Sequence, residues 1–331
     1  MGNLLTASHL KAYYKTVQGE EIKAVDDVFL EVREGEVLGI AGESGCGKST
    51  LASVLSFTIL PPLYLVGGEV RVDGKNIFLL DKESLRRDIK GKYISIVPQG
   101  AMNSLNPTAR IKNFVIDVIK EHFPEVTKED ALRRARERFE ALSLPSRILD
   151  AYPHQLSGGM KQRTVTVIST LLNPNILIAD EPTSALDVSS QKIVIKLFVE
   201  LLKRNIIKSI VFITHELPLL RHFADRIAIM YAGKVVELGP MEEVIFSPLH
   251  PYTKLLMSSV LVPEVGMKEK KIEAIPGVPP DLKNPPSGCR FHPRCPSYMK
   301  GVCEKASPEL IDINQDHKVS CFLYGGENVA Q

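Results

Sequence analysis

The chain has 331 residues, 44% hydrophobic and 24% charged, which is enough apolar material for a sizeable core spread over two or three lobes. Its formal net charge is +2 and no basic run exceeds a few residues, so the electrostatic footprint of a nucleic-acid binder is absent; Lys268-Glu269-Lys270-Lys271 reads as a solvated linker. The longest apolar stretches, such as 164–172, fall far short of the roughly twenty residues a membrane-spanning helix needs, so any membrane role has to be borrowed from partners.

No charged segment followed by an apolar one opens the chain, and export is not expected. Residues 4 to about 97 carry period-two apolar runs broken at Gly67-Gly68 and Asp73-Gly74, the pattern of a small antiparallel sheet. Within them, Val37-Leu38-Gly39-Ile40-Ala41 reads as an apolar strand. It leads into Gly42-Glu43-Ser44-Gly45-Cys46-Gly47-Lys48-Ser49-Thr50 and then a helix, the context of a phosphate-binding P-loop. Glycines let successive N–H groups point inward at phosphate oxygens, Lys48 adds a point charge, and the Ser49 hydroxyl can ligate Mg2+. Gln99 closes a second strand-like run, Ile94-Ser95-Ile96-Val97-Pro98-Gln99.

From about 100 to 157 the character changes. Thr127-Lys128-Glu129-Asp130 looks like a capping box, and Ala131 to Leu142 reads as a charged amphipathic helix, so this stretch is expected to be a helical insertion. Leu156-Ser157-Gly158-Gly159 then supports two readings. Ser157 is a good N-cap for the apolar helix that follows, and Ser-Gly-Gly ahead of a helix also leaves free N–H groups facing an anion. Asn175 to Ala179 reads as a buried strand ending in Asp180 and Glu181. Asp180 would hold Mg2+ through its water shell, and Glu181, at the strand's carboxyl end beside the terminal phosphate, would orient the attacking water. Apolar strands at 209–213 and 226–230 continue the alternation of helix and strand to about 245.

The order of these motifs resembles the ATP-binding-cassette (ABC) ATPase family. The resemblance covers about residues 4 to 325 and adds Ser184-Ala185-Leu186-Asp187 and Ile213-Thr214-His215 to the set. It implies an α/β fold: a P-loop nucleotide-binding core with an antiparallel β subdomain, a helical subdomain and a small Cys-rich tail. It also implies roles that spacing does not give. Gln99 would couple the Mg2+ and water site to a membrane partner, and His215 would contact the terminal phosphate. Ser157, Gly158 and Gly159 would complete the site of a second copy, Asp187 would sit at the dimer seam, and Tyr14 rather than Tyr13 would stack on adenine. The helical insertion would ride on a transmembrane subunit, with Gln99 to Pro107 as the contact.

Of five cysteines, Cys46 lies in the P-loop and four cluster as Cys289, Cys295, Cys303 and Cys321. Disulfides do not suit a cytosolic ATPase, so a four-thiolate metal site is the better reading, although the close Cys-x-x-Cys pairs usual for zinc are missing. His250-Pro251-Tyr252-Thr253, Ile275-Pro276-Gly277-Val278-Pro279-Pro280 and Gly288-Cys289-Arg290-Phe291-His292-Pro293-Arg294-Cys295-Pro296 resemble the tail of oligopeptide and dipeptide importer ATPases. That resemblance implies a 4Fe-4S cluster on the four cysteines, acting as a fastener, with zinc or free buried thiols as alternatives.

The resulting expectation is an ABC ATPase domain at 4–262 and a C-terminal extension at 263–331. The protein would be an ATPase using ATP and Mg2+ on the cytoplasmic face of the cell membrane. Its expected partners are two permease subunits, a second ATPase subunit and an extracytoplasmic solute-binding protein, with no nucleic acid. The competing reading is a soluble ABC ATPase that drives no permease. Two departures from the family pattern are Cys46, where Ser is common, and Gly100, where an acidic residue is common. Cys46 beside a helix N-terminus suggests sensitivity of ATP binding to thiol reagents.

Overall fold

A computed structural model of the chain describes residues 2–259 and 275–325. The boundary expected at 262/263 and the Lys268–Lys271 stretch lie outside the described residues. The chain forms two compact units, one of Met1–Leu4, Arg33–Gly35 and Leu79–Ile213, the other of Leu5–Val32, Glu36–Phe78 and Thr214–Gln331. They are called the helical unit and the P-loop unit below.

The P-loop unit begins with β1 (Asn3–Lys15), β2 (Glu21–Arg33), β3 (Val37–Ala41), helix α1 (Lys48–Leu55), β4 (Leu63–Val72) and β5 (Lys75–Asn76). β2, β1, β4 and β5 lie in that order in a four-stranded sheet, with β1 and β4 antiparallel from Leu5↔Val72 to Tyr14↔Leu63. Residues Leu5, Ala7, Leu10 and Ala12 of β1 are buried; the step from odd to even positions coincides with a register irregularity between Ser8 and Ala12. A bulge of this kind moves the inward face by one residue. All five residues of β3 are buried, as an apolar strand covered on both faces requires.

The helical unit contains α2 (Lys82–Ser84), β6 (Ile94–Val97), α3 (Ile111–His122), α4 (Lys128–Ala141), α5 (Gly158–Ser169), β7 (Ile176–Asp180), α6 (Val188–Lys203) and β8 (Ser209–Ile213). β6, β7 and β8 are parallel, with Val97 opposite Ala179 and Asp180 opposite Ile213. α3 buries Ile111, Val115 and Ile119, and α4 buries Ala131, Ala135 and Phe139, in each case every fourth residue and hence one face. Thr127 caps α4 by accepting from the Asp130 N–H, so the helix starts at Lys128.

The P-loop unit resumes with α7 (Leu217–Leu220), β9 (Arg226–Tyr231), β10 (Lys234–Pro240), α8 (Met241–Phe246), α9 (Pro251–Ser259), β11 (Ile311–Asp312) and β12 (Lys318–Val319). β9 is parallel to β3 and antiparallel to β10. Ala232 and Gly233 turn that hairpin with φ of 47° and 83°, the left-handed pair that a tight two-residue hairpin needs. β12 joins β10 at Glu237↔Val319, and β11 pairs with β12. Among the described residues, no helix is long and apolar enough to cross a membrane.

Candidate nucleotide site and cysteine-rich tail

In the P-loop unit, the loop after β3 is shaped by close approach of backbone. Gly42 and Gly47 have φ of 153° and 105°, and a Cβ on either would collide with the carbonyl oxygens of Met230 and Ala24 respectively. Only glycine lets the chain pass there and still turn its amides inward. Gly47 caps α1 without a side-chain cap, the arrangement of a helix start suited to an anion. Lys48, 6% exposed, folds its Nζ back onto the carbonyls of Gly42 (2.8 Å) and Glu43 (2.9 Å). Ser44 and Gly45 form the exposed rim, and Ser49 and Thr50 open the helix.

Tyr14 and Tyr13 separate clearly. The Tyr14 hydroxyl lies 3.1 Å from the Thr50 hydroxyl and its ring is half-buried beside the loop. Tyr13 is buried and donates to Asp26 at 2.7 Å, and burial followed by that carboxylate pushes its pKa far up. His215 is exposed, next to Thr214, whose N–H donates to the Ile40 carbonyl of β3.

The thiol of Cys46 overturns the expected reactivity. The residue is 5% exposed, and burial pushes its pKa up, outweighing the lowering by Lys48, whose Nζ is 3.7 Å away. Desolvation defeats the helix-terminus effect, and a shielded, protonated sulfur is a poor target for thiol reagents.

In the helical unit, Asp180 ends β7 almost fully buried, 4% exposed. Glu181 adopts φ of 46°, a left-handed conformation unusual for glutamate, held by its own N–H to the Ile213 carbonyl and by the Ser184 hydroxyl to its carbonyl. Backbone strain of this kind is kept where a side chain must be aimed. The Gln99 amide reaches the Glu181 carboxylate at 3.2 Å, so these two residues are neighbours. Ser157 caps α5 by accepting from Met160, and Gly158 and Gly159 follow in its first turn. Asp187 caps α6, taking the Ser190 N–H (3.0 Å) and hydroxyl (2.7 Å), and those bonds lower its pKa.

All four tail cysteines are free. Among the described residues, no group of three or more His, Cys, Asp or Glu is arranged to hold a metal ion, so the expected four-thiolate metal site is not formed by the bare thiols. The sulfurs are nevertheless electrostatic neighbours. Burial, followed by Cys303, Cys321 and Cys295, pushes the Cys289 thiol up to about 11, and burial also raises Cys295 and Cys321. The amides of Phe291, Ser297 and Leu323, each two residues on, donate to the sulfurs of Cys289, Cys295 and Cys321. Neutral thiols this close to one another and this far from water are costly to ionise on their own.

Three side chains to which the sequence alone assigns no role help to fix the tail, alongside His317 on Glu237 and Tyr324 on the Leu249 carbonyl. Phe291, 1% exposed, packs against Tyr231 and Tyr252 with centroids 5.1 and 5.4 Å apart. Arg290 donates to the Ala232 carbonyl and to Asp26. Arg294 makes a two-pronged pair with Glu43 of the P-loop, at 2.8 and 3.0 Å.

Residues 25–184 match the ABC transporter family model, and residues 236–303 match the oligopeptide/dipeptide transporter C-terminal region. The chain is 39% identical to "Dipeptide transport ATP-binding protein DppD" of Caldanaerobacter subterraneus subsp. tengcongensis, across 98% of each chain. It is 38% identical to "Oligopeptide transport ATP-binding protein OppD" of Bacillus subtilis, covering 97% of this chain and 88% of that one. Among solved structures, it is similar to the dimeric post-hydrolysis state of the ATP-binding cassette MJ0796 bound to ADP and Pi, with TM-score 0.62 and 29% identity. That match covers 72% of this chain and 98% of the other. With its P-loop, its carboxylate-ended strand and a match along nearly the whole length of these relatives, the chain belongs to the ABC transporter ATPases of the oligopeptide/dipeptide type.

Proposed function

We propose that the protein is the ATP-hydrolysing subunit of a membrane importer for peptides or related solutes. It would act at the cytoplasmic face with two permease subunits, a second ATPase subunit and an extracytoplasmic solute-binding protein. The observation that carries this reading is the joint presence, in one chain, of the P-loop and Asp180-Glu181 pair with the 236–303 tail that matches peptide-type transporters. Residues 4–262 would be the ATPase domain and 263–331 its extension.

In this reading amides of the 42–50 loop, other than those of Glu43 and Cys46, bind the phosphates together with Lys48, with Tyr14 against the adenine. Ser49, Gln99 and Asp180 would hold Mg2+, which supplies charge neutralisation at the β- and γ-phosphates. Glu181 orients the attacking water in line with the terminal phosphate, and His215 contacts that phosphate. The Gln99 bond to Glu181 gives the water site a lever. A permease contact that moves 99–107 shifts the carboxylate, so hydrolysis follows the transport cycle. Ser157, Gly158, Gly159 and Asp187 serve the nucleotide of the second subunit, and dimer closure on ATP followed by reopening drives the permeases.

Glu181→Gln preserves size and hydrogen bonding but removes the base. Steady-state phosphate release is expected to drop about 100-fold or more, with ATP binding retained; normal turnover would refute the role.

For the tail, Cys289, Cys295, Cys303 and Cys321 would hold a 4Fe-4S cluster, whose contribution is a cross-link for a segment with few regular elements. Anaerobic purification followed by iron and acid-labile sulfide analysis tests it. Iron and sulfide in equal amounts support the cluster, zinc without sulfide supports the zinc alternative, and metal-free protein leaves the cysteines as buried thiols.

A further inference from the structure

A glutamate inside a phosphate-binding loop is an electrostatic liability. Glu43 belongs to the loop itself: its carbonyl accepts from the Lys48 ammonium at 2.9 Å, and its amide donates to the Tyr252 hydroxyl at 2.9 Å. Its carboxylate therefore stands within a few residues of every amide expected to face the phosphates, and repulsion between unit charges at such range is substantial where the surroundings are partly dry. The chain supplies one cation for it from 251 positions away. Arg294 places Nη1 and Nη2 on the two carboxylate oxygens at 2.8 and 3.0 Å, the planar fork-to-fork arrangement suited to guanidinium.

That guanidinium is itself held in place. Arg294 Nε donates to the Pro276 carbonyl at 2.6 Å, Nη1 also reaches the Tyr231 hydroxyl at 3.3 Å, and the side chain is 6% exposed against 22% for Glu43. Arg294 precedes Cys295 in a 3-10 turn of the cysteine-rich tail. The tail thus sets a positive charge directly against the P-loop.

We propose that Arg294 is a positioning residue of the nucleotide site: it neutralises and fixes Glu43, so that the P-loop holds a polyphosphate more tightly when the tail is in place. This rests on the reading of residues 42–50 as the phosphate site. The mechanism is electrostatic, which gives it a signature that a merely structural arginine lacks: the effect of its loss grows with the charge of the nucleotide, and deleting the opposing charge cancels it.

The test is fluorescence titration of the full-length protein with mant-ATP and mant-ADP. Arg294→Ala is expected to weaken mant-ATP about tenfold and mant-ADP by less. Adding Glu43→Gln to Arg294→Ala is expected to restore most of the affinity, and Arg294→Lys, which keeps the charge but loses the two-pronged geometry, to lose less than Arg294→Ala. Recovery in the double variant shows that losing the packing of the arginine does not by itself unfold the protein, and circular dichroism of Arg294→Ala checks the single variant directly. Unchanged mant-ATP affinity in Arg294→Ala overturns the proposal, as does a loss that is equal for both nucleotides or that Glu43→Gln fails to rescue. Lys48→Ala run in parallel separates the two layers. If it abolishes binding while Arg294→Ala is silent, only the role of the arginine falls; if it binds normally, the phosphate-site reading falls and the proposal with it.

Discussion

The P-loop and the cysteine-rich tail lie in the same compact unit and are built on opposite plans. The loop's shape is written into its backbone: Gly42 and Gly47 in conformations other residues avoid, and Lys48 folded onto carbonyls five and six positions back. Among the described residues the tail has two strands of two residues each and is held by side chains that include Arg290, Phe291 and Arg294, with four free thiols. A site that must be ready before its ligand comes is specified locally. A segment with little regular structure borrows its order from anchors on its neighbours and from whatever its sulfurs bind.

If the tail depends on anchors, the largest break comes from removing the one that buries most. Phe291→Ala empties a space between Tyr231, Tyr252 and His250 and is expected to cost about 3–5 kcal/mol of stability, measured by chemical denaturation. A loss below about 1 kcal/mol would mean that the tail is held by its backbone after all.

A smaller effect sharpens the contrast through pH. His250 is buried beside Phe291, its Nε2 has no partner, and burial lowers its pKa to about 4 from 6.5. The unfolded chain takes up a proton near 6.5 and the folded chain only near 4, so stability present above pH 6.5 is lost as the pH falls through that window. His250 caps α9 with Nδ1 accepting from the Tyr252 N–H, a role asparagine can fill. His250→Asn should therefore remove of order 2 kcal/mol of acid-induced destabilisation between pH 7 and 4. Parallel stability–pH curves for the two proteins would contradict this. His317 works with the opposite sign: although burial alone would lower its pKa, its bond to Glu237 raises it, so its contribution fades as pH rises.

What was legible in the sequence follows the same division. The P-loop, the capped helix after Thr127 and the strand ending in Asp180 are local patterns, in which the spacing of glycines, caps and apolar residues is itself the cause of the geometry. The choice between Tyr13 and Tyr14 depends on which face of β1 points inward, and an irregularity between Ser8 and Ala12 resets that face. The reactivity expected of Cys46 failed because a helix terminus is visible in sequence and burial is not. The pairing of Glu43 with Arg294 crosses 251 positions, and no pattern within either motif announces it.

The two short strands of the tail have one more effect. β12 lies along β10, whose residues Val235 to Gly239 are buried, and thereby occupies backbone groups that would otherwise be open to another chain; what remains beyond it is β11, two residues long. Short outer strands are poor templates for edge-to-edge stacking. The segment that carries the cysteines thus also shields part of the β10 edge, and a chain shortened before residue 311 is expected to scatter more light on standing than the full-length protein.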